Sequence, residues 1–179
     1  MFYTRVPTDR VGVLIGPEGQ TKSRLEKLTG AKIVVDSESG EVTIDESRAK
    51  DPTSALKVRD IVAAIARGFS EERAFRLLDD DTYLQVIDIK DVSGDSKQRV
   101  AQVKVWIIGS GGKTRRLIEE LAGVDLSVHG HTVALIGDAF HLNVARQAVE
   151  MILEGSEHRT VYRFLERKRE EIRAYEMGL

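Results

Sequence analysis

A chain of 179 residues, 41% hydrophobic and 31% charged, has a globular composition with enough apolar material for one ordinary domain or two small ones. The absence of cysteine excludes a disulfide framework and thiolate metal sites and suits a reducing cytosol. No apolar run approaches about 18 residues, so no membrane partner is expected and a cytoplasmic protein is. The formal net charge of -2 cannot attract polyanions as a whole, so any nucleic-acid binding must come from a local basic patch.

In chain order, Phe2–Pro7 alternates as a short strand, and Asp9 is placed to cap a helix ending at Ile15 before Gly16. After Gly19 a helix is predicted from Gln20 to Thr29, with Leu25 and Leu28 on one face and Gly30 as its stop. Lys32–Asp36 and Val42–Ile44 read as a hairpin about the turn Ser37–Gly40. Pro52 opens a helix to Ala66 with an apolar stripe of Leu56, Ile61 and Ile65, flanked by Val58 and Val62. A shorter helix, Glu71–Leu78, and the acidic run Asp79–Asp81 lead onward.

The second half repeats the first. Residues 107–123 align with residues 14–30 at a constant offset of 93, matching Gly16 to Gly109, Gly19 to Gly112, Thr21 to Thr114, Leu28 to Leu121 and Gly30 to Gly123. The same order follows: a strand Tyr83–Lys90, a helix Asp95–Ile108, a glycine loop, a helix to Ala122, a hairpin of Leu126–His129 and Thr132–Ile136, and a helix Ala139–Leu153. Short antiparallel strands backed by helices give an α+β fold. The expected organisation is residues 1–80, residues 81–155 and a C-terminal amphipathic helix, 156–179, with Val161, Phe164 or Leu165, Lys168, Ile172 and Tyr175 at helical spacing. Arg159, Arg163 and Arg167 form a row on that helix, which Glu166, Glu170 and Glu171 could neutralise as a solvated face. Lack of Cys and a single Asn, Asn143, beside abundant Arg and Glu, are compatible with a thermophilic source.

A Gly-x-x-Gly loop between two helices lets the backbone approach a ligand without Cβ interference, and its amides and the following helix dipole suit phosphate. The loop, its Ile-Gly-x-x-Gly-x-Thr setting, the duplication and the strand order resemble the KH module, in which such a loop clamps about four nucleotides of a single strand. Strands after the second helix resemble the type I, eukaryotic-type topology, so the resemblance implies two tandem type I KH domains. In the second copy Gly109-Ser110-Gly111-Gly112 precedes Lys113, Arg115 and Arg116, three cations within about one helical turn. In the first copy, Gly16-Pro17-Glu18-Gly19, Pro17 lacks an amide hydrogen and Glu18 puts negative charge where a phosphate would sit. Copy two is therefore expected to hold RNA, while Gly16, Gly19, Lys22 and Arg24 contribute weakly or face a protein. Trp106, just before the loop, either stacks on a base, worth ~1–3 kcal/mol on the general scale, or is covered by its helix neighbours. Ile108, Leu126 and Val128 serve equally as groove floor or core.

A longer match runs through Ile107-Ile108-Gly109, Gly112–Glu120, Ser127–Gly137, Ala145–Met151 and Thr160–Lys168. It resembles archaeal KH-domain ribosome-assembly factors, similar to the eukaryotic pre-rRNA processing factor Dim-two, or partner of Nob-one. That resemblance implies binding near the 3′ end of small-subunit rRNA, beside an rRNA endonuclease and a dimethyladenosine transferase. Val105-Trp106 departs from the Gly-Arg expected before Ile-Ile-Gly, and the lost cation would be compensated by stacking of Trp106.

No catalyst is expected. Gly112-Lys113-Thr114 resembles the end of a P-loop, but Ile107 stands where that motif needs glycine. His129 and His131 flank a hairpin glycine, and with His141 and His158 they lack the carboxylate spacing of a metal site. Glu119-Glu120 and Glu170-Glu171 point apart on helices. Neither cofactor nor metal is expected. The competing reading is a protein-interaction scaffold for rRNA-processing or methylating enzymes, which keeps the fold and has little RNA binding of its own.

Overall fold

In the computed structural model, which describes residues 1–179, the chain divides into two units, Met1–Asp80 and Asp81–Leu179. The first comprises β1 (Phe2–Arg5), α1 (Thr8–Ile15), α2 (Gln20–Thr29), β2 (Lys32–Val35), β3 (Glu41–Asp45), α3 (Pro52–Ala66) and α4 (Glu71–Phe75). The second comprises β4 (Tyr83–Asp88), α5 (Ile89–Ser93), α6 (Lys97–Ile108), α7 (Lys113–Ala122), β5 (Asp125–His129), β6 (Thr132–Gly137), α8 (Ala139–Leu153) and α9 (His158–Glu176). Each holds an antiparallel three-stranded sheet with the last strand central, β1-β3-β2 and β4-β6-β5. Ile44 of β3 faces Phe2 on one side and Ile33 on the other, and Leu135 of β6 faces Gln85 and Leu126. The α+β class and the duplicated order are those expected.

Leu14, Leu25, Ile33, Ile44, Ile61 and Ile65 are fully buried in the first unit. Ile107, Ile118, Leu126 and Leu135 form the corresponding core of the second, joined there by Val161, Phe164, Leu165 and Ile172 of α9. Burying side chains of this size is worth about 1.5–3 kcal/mol each, so α9 packs on α7 and α8 as part of the second unit. The duplication reaches individual hydrogen bonds. The Ile33 amide donates to Glu26 Oε2 and the Leu126 amide to Glu119 Oε1, both at 3.0 Å and 93 residues apart.

Five local expectations are corrected. The N-cap of α1 is Pro7, without a side-chain cap, and Asp9 lies in the first turn, where its charge still faces the helix dipole. Leu28 and Leu56, read as core-facing, are 43% and 59% exposed, because no element packs over those edges of their stripes. Glu71–Leu78 is not one helix but α4 followed by a 3-10 turn, Arg76–Leu78. The strand expected to reach Lys90 ends at Asp88, whose carboxylate accepts from the Lys90 amide and starts α5. The next helix begins at Lys97 under a Ser96 cap, not at Asp95.

Glu46 holds the Arg59 guanidinium with both carboxylate oxygens, and the guanidinium lies over the Phe2 ring, 4.4 Å from its centroid. This ties β1 and the end of β3 to α3. The hydrogen bond from Arg59 holds the Glu46 carboxyl below its ordinary value. The pair therefore stabilises the fold fully above the unfolded glutamate pKa and is lost as pH falls through the lowered folded value. Glu46→Gln should melt at lower temperature than the parent at pH 7, and the two should converge in acid. Equal melting at pH 7 would contradict the account.

A candidate nucleic-acid interface

The two Gly-x-x-Gly loops have nearly the same backbone. Gly16 has φ 76° and ψ 173°, and Gly109 has φ 74° and ψ 174°. The last glycines, Gly19 and Gly112, are left-handed. The first glycine is required by close approach: a Cβ on Gly16 or Gly109 would lie 2.8 or 2.7 Å from the backbone nitrogen of Thr21 or Thr114. Those threonines are buried, and each bonds a following helix. Thr21 Oγ1 donates to Glu71 Oε2 at 2.8 Å, whereas Thr114 Oγ1 lies 2.7 Å from the Tyr162 hydroxyl.

Chemistry separates the loops. In copy two the Gly112 amide closes the turn onto Gly109 O, leaving the Ser110 and Gly111 amides without a partner in the chain. Lys113 and Arg116 are exposed. Lys113 Nζ lies 5.8 Å from the Tyr162 ring centroid. Arg115 is half-buried and sits 3.9 Å from Glu119, the counterpart of Lys22 beside Glu26.

In copy one the positions of Lys113 and Arg116 are occupied by Gln20 and Ser23. Lys22 Nζ is bonded to Glu26 and to Ile33 O at 3.1 and 3.0 Å. Arg24 pairs with Glu71 at 3.1 Å and covers Phe75. Both cations thus serve the protein.

Glu18, at the position of Gly111, has φ 55° and is the sole non-glycine residue with positive φ. That conformation costs about 1–2 kcal/mol, while glycine would loosen the unfolded chain by about 0.4–1 kcal/mol. Glu18→Gly should therefore stabilise the first unit by about 0.5–1 kcal/mol in urea unfolding. Glu18→Lys should leave RNA binding equal or improved; a clear loss in a titration would contradict a subordinate copy one.

Beside the second loop lies an open, largely apolar groove of about 510 Å³, lined by Val100, Ala101, Lys104, Val105 and Ile108 of α6 and by Gly130-His131 of the hairpin turn, together with Lys90, Lys97 and one carboxylate, Asp95. Its size and apolar lining suit unstacked bases, and its lysines suit their phosphates. His131 is held by Asp88, Nδ1 to Oδ1 at 2.8 Å, and hydrogen bonding to His131 keeps the Asp88 carboxyl below its ordinary value.

Of the residues singled out from sequence, Ile108 lines the groove and leads into the Gly109–Gly112 loop. Val128 is half-buried against the core and Leu126 is fully in it. Trp106 is not brought to the groove. It lies on another face of α6, half-buried, with Arg99 5.1 Å from its ring centroid and its carbonyl bonded to His158 Nε2 at 2.8 Å. The groove cation near the loop is instead Lys104, one turn before Ile108. Val105, 65% exposed, supplies the apolar surface. Sequence reasoning passed over both. Their signal is the spacing 97, 101, 104, 105, 108, one helical stripe of lysines and small apolar residues.

No group of three or more His, Asp or Glu side chains is placed to hold a metal, and no helix is long and apolar enough to cross a membrane.

Residues 83–170 match the eukaryotic-type KH domain (KH domain type I) in the form of the second KH domain of PNO1, and residues 2–51 match the KH domain. The chain is 45% identical to the KH domain-containing protein MJ0443 of Methanocaldococcus jannaschii over 94% of its own length and 74% of the relative's. It is 31% identical to the pre-rRNA-processing protein pno1 of Schizosaccharomyces pombe, over 73% of this chain and 55% of that one, and so spans little more than half of the yeast protein. Among solved structures it is similar to aDim2p in the a/eIF2α–aDim2p–rRNA complex of Pyrococcus horikoshii, with 46% identity, TM-score 0.88, and coverage of 95% of this chain and 94% of that one.

Proposed function

The chain belongs to the KH-domain family of archaeal Dim2p and the eukaryotic PNO1 pre-rRNA-processing proteins, and from that premise we propose that it binds single-stranded rRNA near the 3′ end of the small-subunit RNA during ribosome maturation, chiefly through its second KH domain. The observation that carries this reading is the contrast between the loops. Gly109–Gly112 offers free amides and is followed by exposed Lys113 and Arg116 beside an apolar groove, whereas Gly16–Gly19 carries Pro17 and Glu18 and has its nearby cations paired within the fold.

In this reading the Ser110 and Gly111 amides and the start of α7 receive a phosphate. Lys113 and Arg116 neutralise its neighbours, while Ile108 and Val105 pack against bases in the groove. Binding and positioning, rather than bond-making, are the activity. Fluorescence anisotropy with a labelled strand from the 3′ end of small-subunit rRNA, a scrambled strand and a salt series tests it. Preferential binding of the natural strand is expected, with a slope of log K against log salt of about −1.4 to −2 for two or three phosphate contacts.

The acidic, strained loop of copy one favours a second role for the first domain, contact with protein. The rRNA endonuclease and the dimethyladenosine transferase are the partners proposed for it. Weak RNA binding that ignores sequence and loop, with retention of these enzymes in a pull-down, would put the scaffold function first.

A further inference from the structure

The helix that supports each loop differs in charge between the two copies. Behind copy one stands α4, and the group that bonds the loop threonine is a carboxylate, Glu71, followed by Glu72. Behind copy two stands α9, and the bonding group is the neutral hydroxyl of Tyr162. His158, one turn earlier, is stacked on Tyr162 with ring centroids 6.0 Å apart and is bonded to the last turn of α6. The first half of α9 is thereby fixed against both helices that flank the Gly109–Gly112 loop.

That half is strongly basic. Between His158 and Arg169 it carries Arg159, Arg163, Arg167, Lys168 and Arg169 against a single carboxylate, Glu166. The remaining acids lie in the second half, where Glu171 binds Lys168 and Glu176 binds His141. Arg159 and Arg163 are exposed and make no ion pair or hydrogen bond within the chain. They flank Tyr162, whose ring lies against Lys113 of the loop cations. Their one-turn separation is a rise of about 6 Å, a step on the scale of one nucleotide in an extended strand.

We propose that Arg159 and Arg163 form a second phosphate-binding site, continuous with Lys113 and Arg116, that takes the ribose-phosphate backbone of the same RNA strand where it leaves the clamp. The proposal rests on the reading of the second loop as an RNA clamp. It extends the footprint beyond the roughly four nucleotides that such a loop grips. The added contacts are to phosphate, so they lengthen and strengthen the grip without adding base preference.

The test uses the full chain, with 4-nucleotide and 12-nucleotide single strands sharing the same core sequence, titrated at several salt concentrations. Arg159→Gln/Arg163→Gln should leave the short strand's affinity within about twofold. It should lower the long strand's affinity about tenfold and reduce its salt slope by about 1.4, at ~0.7 per phosphate lost. Arg159→Lys/Arg163→Lys should restore most of the loss. Arg169→Gln/Arg173→Gln, the same charge change further along α9, should have little effect. Unchanged affinity and slope on the long strand would overturn the second site and leave the clamp standing. Failure of the parent protein to bind either strand would remove the clamp, and the second site with it.

Discussion

The Ser110→Asp/Gly111→Asp protein should bind the 3′-terminal strand of small-subunit rRNA about 10- to 100-fold more weakly than its parent, with its fold intact. Both positions sit at the loop tip beside the amides proposed to receive phosphate, so each new carboxylate would face the strand's charge at a few ångströms. At an effective dielectric appropriate to a protein surface, like charges at such separations repel by about 1–3 kcal/mol, and tenfold in affinity is 1.4 kcal/mol. The fold should tolerate the change, because a Cβ on Gly111 meets nothing within 4 Å. Copy one already holds an acidic residue, Glu18, in the same left-handed conformation. Anisotropy titration and thermal melting separate the two effects. Undiminished binding at an unchanged melting temperature would exclude the loop as the clamp.

The second large effect should be on stability. Gly109→Ala is expected to cost the second domain about 2–5 kcal/mol, a considerable part of the 5–15 kcal/mol that ordinarily separates folded from unfolded domains. With φ 74° and ψ 174° the residue lies in a region open essentially to glycine alone, at a strain of about 1–3 kcal/mol for any other residue. The new methyl would also press on Thr114, overpacking that typically adds 1–3 kcal/mol. Truncating the threonine cannot relieve it, because the contact at 2.7 Å is to the Thr114 backbone nitrogen. Gly111→Ala, two residues away with open space around it, should cost only about 0.5–1 kcal/mol, the left-handed penalty less the entropy the unfolded chain loses with its glycine. Urea unfolding of the two variants decides the matter. Equal costs would show that close packing on Thr114 is not what demands glycine at position 109.

Much of this architecture was legible because its signals are local and doubled. Paired glycines, a threonine five residues after the first, and leucines in phase recur at one offset, and each marks a turn or a buried helix face. The short helix α5 was not legible, since Ile87 and Ile89 continue the alternation of a strand. What ends the strand is the Asp88 side chain capturing the Lys90 amide, a choice between competing hydrogen bonds that hydrophobic pattern does not encode. For Trp106 the sequence left base stacking and cover by its neighbours both open, and its place under Arg99 and beside His158 fits the second. Two residues along a helix turn a side chain about 200°, so it could not share a face with Ile108. The contrast between Lys113 and Arg116 and their neutral counterparts Gln20 and Ser23 was available from the alignment. The partners of Thr21 and Thr114 were not, since each comes from a helix about 50 residues away.

Glu18 carries a consequence for how such domains diversify. The loop keeps its course whether its tip is Ser-Gly or Pro-Glu, because the turn is clamped at its root by the contact of the first glycine with threonine. Shape and ligand chemistry are therefore inherited separately. A duplicated gene can retune the two tip residues, and the cations of the next turn, without renegotiating the scaffold beneath. One copy is then free to abandon an old ligand while its twin retains it.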